Sequence, residues 1–175
     1  MSARIRFVVA TSLLILACVA VASDLPGNLP KRKAGLWEIQ DNVMNGAASP
    51  HAMPKICLDA DTDQALYRFA AKMSGAVCSK MDFNVSGNSF TVDSVCQMQG
   101  PQGTMHMVSH SETHFDGDVA YHTDTHMQYQ PAILGKTSRD VSSNGRWLGP
   151  CAAGQKPGDM IMPNGSVMNI STMMH

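Results

Sequence analysis

The sequence predicts a mainly β (α+β) fold: an antiparallel sheet, curved or opened as a half-barrel, carrying one short helix and held by disulfide bonds. Three observations lead there. Between residues 78 and 148 apolar and polar residues alternate over long stretches, the period of half-buried strands. Turn signals at Ser86-Gly87-Asn88, Asp116-Gly117-Asp118 and Ser143-Asn144-Gly145 cut that alternation into hairpins. By contrast, DADTDQALYRFAAKMSG places Leu66, Phe69, Ala70 and Met73 at helical spacing, with Gly75 as a stop.

A chain of 175 residues with 44% apolar and 15% charged content predicts one domain with a real core and is unlike a disordered segment. Residues 1–22 read as a signal peptide. Arg4 and Arg6 precede an apolar run over 7–17, and Ala20-Val21-Ala22 supplies small residues for a cut before Ser23. The apolar run is short of the ~20 residues a spanning helix needs, so no transmembrane segment is expected after cleavage. An alternative uses Cys18: Ile15-Leu16-Ala17-Cys18 loosely resembles a lipobox, although Leu16 is bulky where a small residue is usual, and would make a lipoprotein acylated at Cys18. Either way the expected location is periplasmic or secreted. Cleavage removes Arg4 and Arg6, leaving 11 basic residues against 14 acids and a net charge of −3 with histidines neutral. No nucleic-acid partner is implied by that balance.

The mature chain keeps Cys57, Cys78, Cys96 and Cys151, an even number in an oxidising compartment, which predicts two disulfides with three possible connectivities. The stretch 79–96 reads as a hairpin, with Cys78 and Cys96 equidistant from Gly87. Aligning Phe83 and Val85 with Phe90 and Val92 needs a shift of one residue, which a bulge near the turn would absorb. Cys57 with Cys151 then follows by elimination. No Cys-x-x-Cys pair is present to favour a zinc-thiolate reading.

The remaining elements fall in order. Residues 23–34, with Pro26, Pro30 and the triplet Lys31-Arg32-Lys33, read as an extended lead-in to a domain over 35–151. Leu36-Trp37-Glu38-Ile39 alternates as a strand, and residues 54–58 form a second after a turn-rich stretch at 45–50. The helix follows, with Asp61 as its cap and Gln64 completing a capping box. Asp59, Asp61 and Asp63 do not make a calcium loop, because Gln64 stands where that loop needs glycine and Ala70 where it needs glutamate. After the 78–96 hairpin come strands over 104–115 and 119–129, the second ended by Pro131. Short strands over 137–141 and 146–148 flank Ser143-Asn144-Gly145. Residues 152–175, rich in Pro, Gly, Asn and Met, read as a loosely ordered C-terminal tail.

RKAGLWEIQ, KICLD, the Cys78 and Cys96 pair and RWLGPC together resemble a bacterial exported family known as domain of unknown function 3617 (DUF3617). The similarity covers residues 33–151, with Gly-Leu-Trp-Glu-Ile and Gly-Pro-Cys its most specific parts. The resemblance implies an envelope or secreted location and a mostly antiparallel β domain with paired cysteines. It carries no established activity and no catalytic residues. The histidine-rich strands and the methionine-rich tail stand outside that pattern.

HMVSHSETHFDGDVAYHTDTHM, over 106–127, holds five of the seven histidines. Residues four apart on a strand are ~13 Å from each other, so one strand cannot gather them around an ion. Cross-strand pairs can. A three-residue loop at 116–118 opposes Phe115 to Val119, Glu112 to His122 and His110 to Asp124. One face then carries His106, His110, Glu112, His114, His122, Asp124 and His126, and the other Met105, Met107, Phe115, Val119, Tyr121 and Met127. The same alternation that makes the sheet collects the histidines, so a solvent-facing surface needs no metal to explain it. The metal alternative takes His110, His122, Asp124 and His126 as ligands for copper or zinc. Met105-His106-Met107, Met160-Ile161-Met162 and Met173-Met174-His175, within 14 methionines, add thioethers of the kind Cu(I) favours.

No Gly-x-Ser-x-Gly turn activates a serine, Glu38 and Glu112 are the only glutamates, and no Gly-rich phosphate loop occurs. No catalytic residues and no cofactor are expected. The expected role is therefore a non-catalytic envelope protein with a small apolar ligand held in a β cup, by analogy with ligand-holding barrels. The alternative is periplasmic copper or zinc binding through the histidine face and the Met-rich tail.

Overall fold

A computed structural model of the chain describes residues 25–44, 54–100 and 103–173. The expected signal peptide, Cys18 and the turn-rich stretch at 45–50 lie outside the described residues. In chain order the elements are β1 (Gly35–Met44), β2 (Lys55–Leu58), α1 (Ala60–Gly75), β3 (Cys78–Ser86), β4 (Ser89–Gly100), β5 (Gly103–Asp116), β6 (Ala120–Ile133), β7 (Lys136–Gly149), β8 (Asp159–Ile161), β9 (Val167–Asn169) and a final 3-10 turn, Ile170–Met173. The nine strands form a single open sheet in the order β3-β4-β5-β6-β7-β1-β2-β8-β9, antiparallel throughout.

This order makes α1 the connection between two distant strands, β2 and β3, six strand intervals apart. At about 4.8 Å per interval the gap is roughly 29 Å, and a 16-residue helix covers about 24 Å of it. The helix therefore crosses one face of the sheet, and that face is the core. Trp37, Ile56, Leu58 and Ile170 are buried there, with Ile39, Leu66, Tyr121, Trp147 and Met160 packed against them. Each such large apolar side chain contributes about 1.5–3 kcal/mol on burial.

Two disulfides join Cys57 to Cys151 and Cys78 to Cys96. The first lies where the two most specific parts of the family resemblance meet. Leu36 pairs with Gly149, and a Cβ on Gly35 would collide with the Gly149 carbonyl and the Trp147 indole nitrogen. Gly35 also has φ of 140°, so glycine is needed there for space and for conformation.

Several sequence expectations are corrected. The 78–96 hairpin closes on a two-residue Gly87-Asn88 turn, pairing Ser86 with Ser89, Val85 with Phe90 and Phe83 with Val92. Its irregularity sits between Cys78 and Lys80, at the disulfide end rather than near the turn. The helix cap is Asp59, not Asp61: its carboxylate accepts from the Thr62 amide at 2.8 Å, and hydrogen bonding by the Thr62 side chain first, with that amide second, holds its pKa below the usual range. Pro131 does not end its strand. β6 runs through a cis Gln130-Pro131 bond to Ile133, with the ladder irregular between Gln128 and Ile133, where proline has no N–H to give. Nor do Ser143-Asn144-Gly145 form a turn, since β7 runs straight through them. Gly145 is in the strand because the Tyr121 ring lies across it, where any Cβ would collide. The tail is not loose: β8 pairs with β2, β9 pairs with β8, and Ile170 enters the core.

Candidate functional site

The two faces of the β4 to β7 region carry different chemistry. On the inner face, Phe115 stands opposite Tyr121, Thr113 opposite Thr123, and Ser111 opposite Thr125. Hydroxyls on this face bond each other across the strands: Ser94 to Ser109 at 2.8 Å, Ser111 to Thr125 at 2.9 Å and Thr113 to Thr123 at 2.8 Å. Such pairs satisfy polar groups that burial would otherwise penalise.

Between this face and α1 lies a cavity of about 170 Å³. Tyr67 from the helix, Phe90, Phe115 and Tyr121 from the sheet, and the Thr113–Thr123 pair line it. The rings touch in series: Tyr67 meets Phe90 edge-on at 6.3 Å, Phe90 meets Phe115 at 6.3 Å, and Phe115 meets Tyr121 at 5.6 Å.

Arg32, from the lead-in, closes one end. Its guanidinium lies 5.5 Å from the Tyr67 ring centroid and 5.9 Å from that of Tyr121. Its Nε donates to Asp63, and its backbone N–H donates to the same carboxylate at 3.2 Å. Asp63 is 1% exposed, so this is a buried pair tying the lead-in to the helix. The Tyr67 hydroxyl donates to the Pro30 carbonyl at 3.3 Å, and burial pushes its pKa up to about 12. Trp37 and Trp147 donate their indole N–H groups to the Lys33 and Ala34 carbonyls. The lead-in is thus a strap over the core. Nothing in its composition marked Arg32 as half-buried, and Asp63 looked like one more acid in a helical first turn.

The outer face holds His106, His110, Glu112, His114, His122, Asp124 and His126, all exposed, as the alternation predicted. The register differs. The β5-β6 loop spans 117–119, with Gly117 at φ of 60° and Asp116 opposite Ala120. Val119 is therefore in the turn, and its carbonyl accepts from Trp147 N. Moving both ends of the loop by one residue keeps every side chain on its face but changes its partner. His110 faces His126, Glu112 faces Asp124, and His114 faces His122. The set His110, His122, Asp124 and His126 is not one cross-strand neighbourhood. Among the described residues, no three His, Cys, Asp or Glu side chains converge to hold a metal. Met105 and Met107 face the core side while His106 faces out, so the Met-His-Met triplet does not present its sulfurs and imidazole together. Met174 and His175 lie outside the described residues.

The imidazoles are held by their neighbours. His110 Nδ1 lies 2.7 Å from Asp93 Oδ1, and His126 Nδ1 lies 2.6 Å from Asp140 Oδ1. His114 Nδ1 meets Ser89 Oγ at 2.9 Å. His122 has an oxygen acceptor at each nitrogen, Asn144 Oδ1 at 2.7 Å and Asp124 Oδ2 at 3.0 Å. Two acceptors favour the doubly protonated ring, so its pKa is raised above 6.5, chiefly by the Asn144 bond. The sign follows: any stability this ring adds is complete below pH ~6.5 and is lost as pH rises through the folded-state pKa. In an NMR titration His122 is expected to show a midpoint above ~6.5, and Asn144→Ala should lower it. A midpoint at or below 6.5, or one indifferent to that substitution, would contradict the assignment.

No helix among the described residues is long and apolar enough to cross a membrane. Residues 32–151 match the model of a family described as a protein of unknown function, DUF3617. No curated protein and no solved structure matches the chain.

Proposed function

The chain belongs to the DUF3617 family, and we propose that this member is an exported, non-catalytic binding protein of the periplasm or cell envelope that holds a small apolar ligand beneath its strap. Export is supported by the charged, apolar and small-residue pattern of residues 1–22 and by two disulfides, which suit an oxidising compartment. One observation carries the ligand reading: the threonine pair, the arginine Nε and the Tyr67 hydroxyl around the aromatic cavity already have protein partners. Thr113 and Thr123 bond each other, Arg32 is neutralised by Asp63, and the Tyr67 hydroxyl reaches Pro30. An apolar guest therefore leaves these bonds intact, whereas an anionic one meets an Arg32 charge already balanced by Asp63.

The volume limits the guest. Cavities of ~150 Å³ hold one benzene-sized molecule. A ligand larger than this fits only with the strap displaced.

Benzene, toluene and indole are the probes for a thermal-shift series. At ten times its Kd a guest should add about 1.4 kcal/mol, or roughly 3–6 °C in Tm for a domain of this size. Thr123→Phe, which fills the cavity, should abolish the shift. An unchanged Tm with all three probes would contradict the reading.

A further inference from the structure

We infer that His110 and His126 form an exchangeable site for a borderline divalent cation, Cu(II) or Zn(II), in which Asp93 and Asp140 hold the two imidazoles in the ligating tautomer. This site is on the opposite face of the sheet from the cavity and does not depend on it.

Asp93, His110, His126 and Asp140 are successive cross-strand partners on β4, β5, β6 and β7, forming one straight row over four strands. Side chains at directly opposed positions start about 4.5–5.5 Å apart at Cβ, close enough for two imidazoles to share one ion. The row is symmetric about its centre. Each histidine turns Nδ1 outward to the carboxylate on its far side, at 2.7 Å for Asp93 and 2.6 Å for Asp140. A carboxylate accepts, so each Nδ1 carries the proton and each Nε2 carries the lone pair. The Gln128 amide nitrogen, 3.4 Å from His126 Nε2, can only donate, which fits that assignment and makes it the long contact that an incoming ion would replace. Among the described residues no hydrogen bond occupies His110 Nε2. This carboxylate–histidine arrangement is the outer shell that orients ligating imidazoles.

The neighbouring row lacks it. His114 and His122 also face each other, but their Nδ1 partners are Ser89 and Asn144 rather than carboxylates. His122 Nε2 is engaged as well, by the Asp124 carboxylate at 3.0 Å, whereas the Asn88 amide contact of His114 Nε2, at 3.3 Å, is of the same kind as that of Gln128 with His126. Two similar histidine pairs on one face thus differ in what holds them, and one is arranged to ligate.

Two imidazoles with no third protein ligand leave the other coordination positions to water or an incoming ligand. Imidazole selects Cu(II) and Zn(II) over Mg(II) and Ca(II), and Cu(II) binds more tightly than Zn(II). The side chains are 55% and 48% exposed, so the ion enters and leaves freely.

The test uses the mature, disulfide-bonded chain. Zn(II) titration followed by calorimetry is expected to give one equivalent that weakens at least tenfold in His110→Ala and in His126→Ala. Asp93→Asn and Asp140→Asn, which keep the fold and both imidazoles, should each weaken it about tenfold, within the 10–100-fold range for such outer partners. His114→Ala and His51→Ala should leave it unchanged. Substoichiometric Cu(II) should broaden the His110 and His126 ring resonances before any other histidine. Similar small losses from every histidine removed, broadening spread over all of them, or no saturable equivalent would overturn the site. None of these outcomes touches the thermal shift by apolar guests, so the two readings fail separately.

Discussion

Asp63→Ala is expected to destabilise the fold by about 3–5 kcal/mol, the usual cost of leaving one member of a buried ion pair without its partner. Asp63 is 1% exposed, and the Arg32 side chain that reaches it is 9% exposed. With the carboxylate gone, a guanidinium would remain against Tyr67 and Tyr121 with no counter-charge, and the Arg32 backbone N–H would lose its acceptor. The strap must then lift to hydrate the charge, at the expense of the Pro30 and Lys33 carbonyl contacts. Urea denaturation measures the loss. The double variant Arg32→Met/Asp63→Leu, which removes both charges, should recover most of it. A cost below about 1 kcal/mol for Asp63→Ala would mean that the pair is solvated and that the strap is not fixed by it.

The second large effect separates the two disulfides. Cys57 and Cys151 are 94 residues apart, and Cys78 and Cys96 only 18. In the chain-entropy account, closing a loop of ~100 residues is worth about 4.7 kcal/mol and one of ~15 residues about 3 kcal/mol. Replacing Cys57 and Cys151 together by alanine should therefore cost about 1.5 kcal/mol more than replacing Cys78 and Cys96. Location works in the same direction. Cys57 lies between core residues Ile56 and Leu58, whereas the shorter bridge ties adjacent strands that the β3-β4 ladder already holds. Equal losses in paired denaturation curves would show that the long bridge constrains little beyond what the sheet does.

The fold class was legible because alternation and turn residues report directly on a half-buried antiparallel sheet. Which residues share a face was legible too, since a register error of two cannot move a side chain across the sheet. Partners were not: one extra residue in β5 before Gly117 moved His110 from Asp124 to His126. Gly145 misled for a different reason. A glycine after Ser-Asn reads as a turn, and only the position of the Tyr121 ring shows that it is a gap in a continuous strand. The tail strands are three residues each, too short for any periodicity, and they exist because β2 offers an open edge. Arg32 and Asp63 are 31 positions apart and carry no local signal of pairing. Half of the candidate chemistry, the exposed imidazole face, could thus be read from the chain, while the cavity and its strap are products of long-range packing.

Whether the strap covers a natural guest is decided by native mass spectrometry of the protein purified from its own envelope fraction, without added ligand. The expected spectrum holds a species heavier than the disulfide-bonded chain by one small organic molecule. That added mass should be absent from the Thr123→Phe variant prepared in the same way. A single species at the mass of the bare chain, under conditions gentle enough to keep the protein folded, would contradict it.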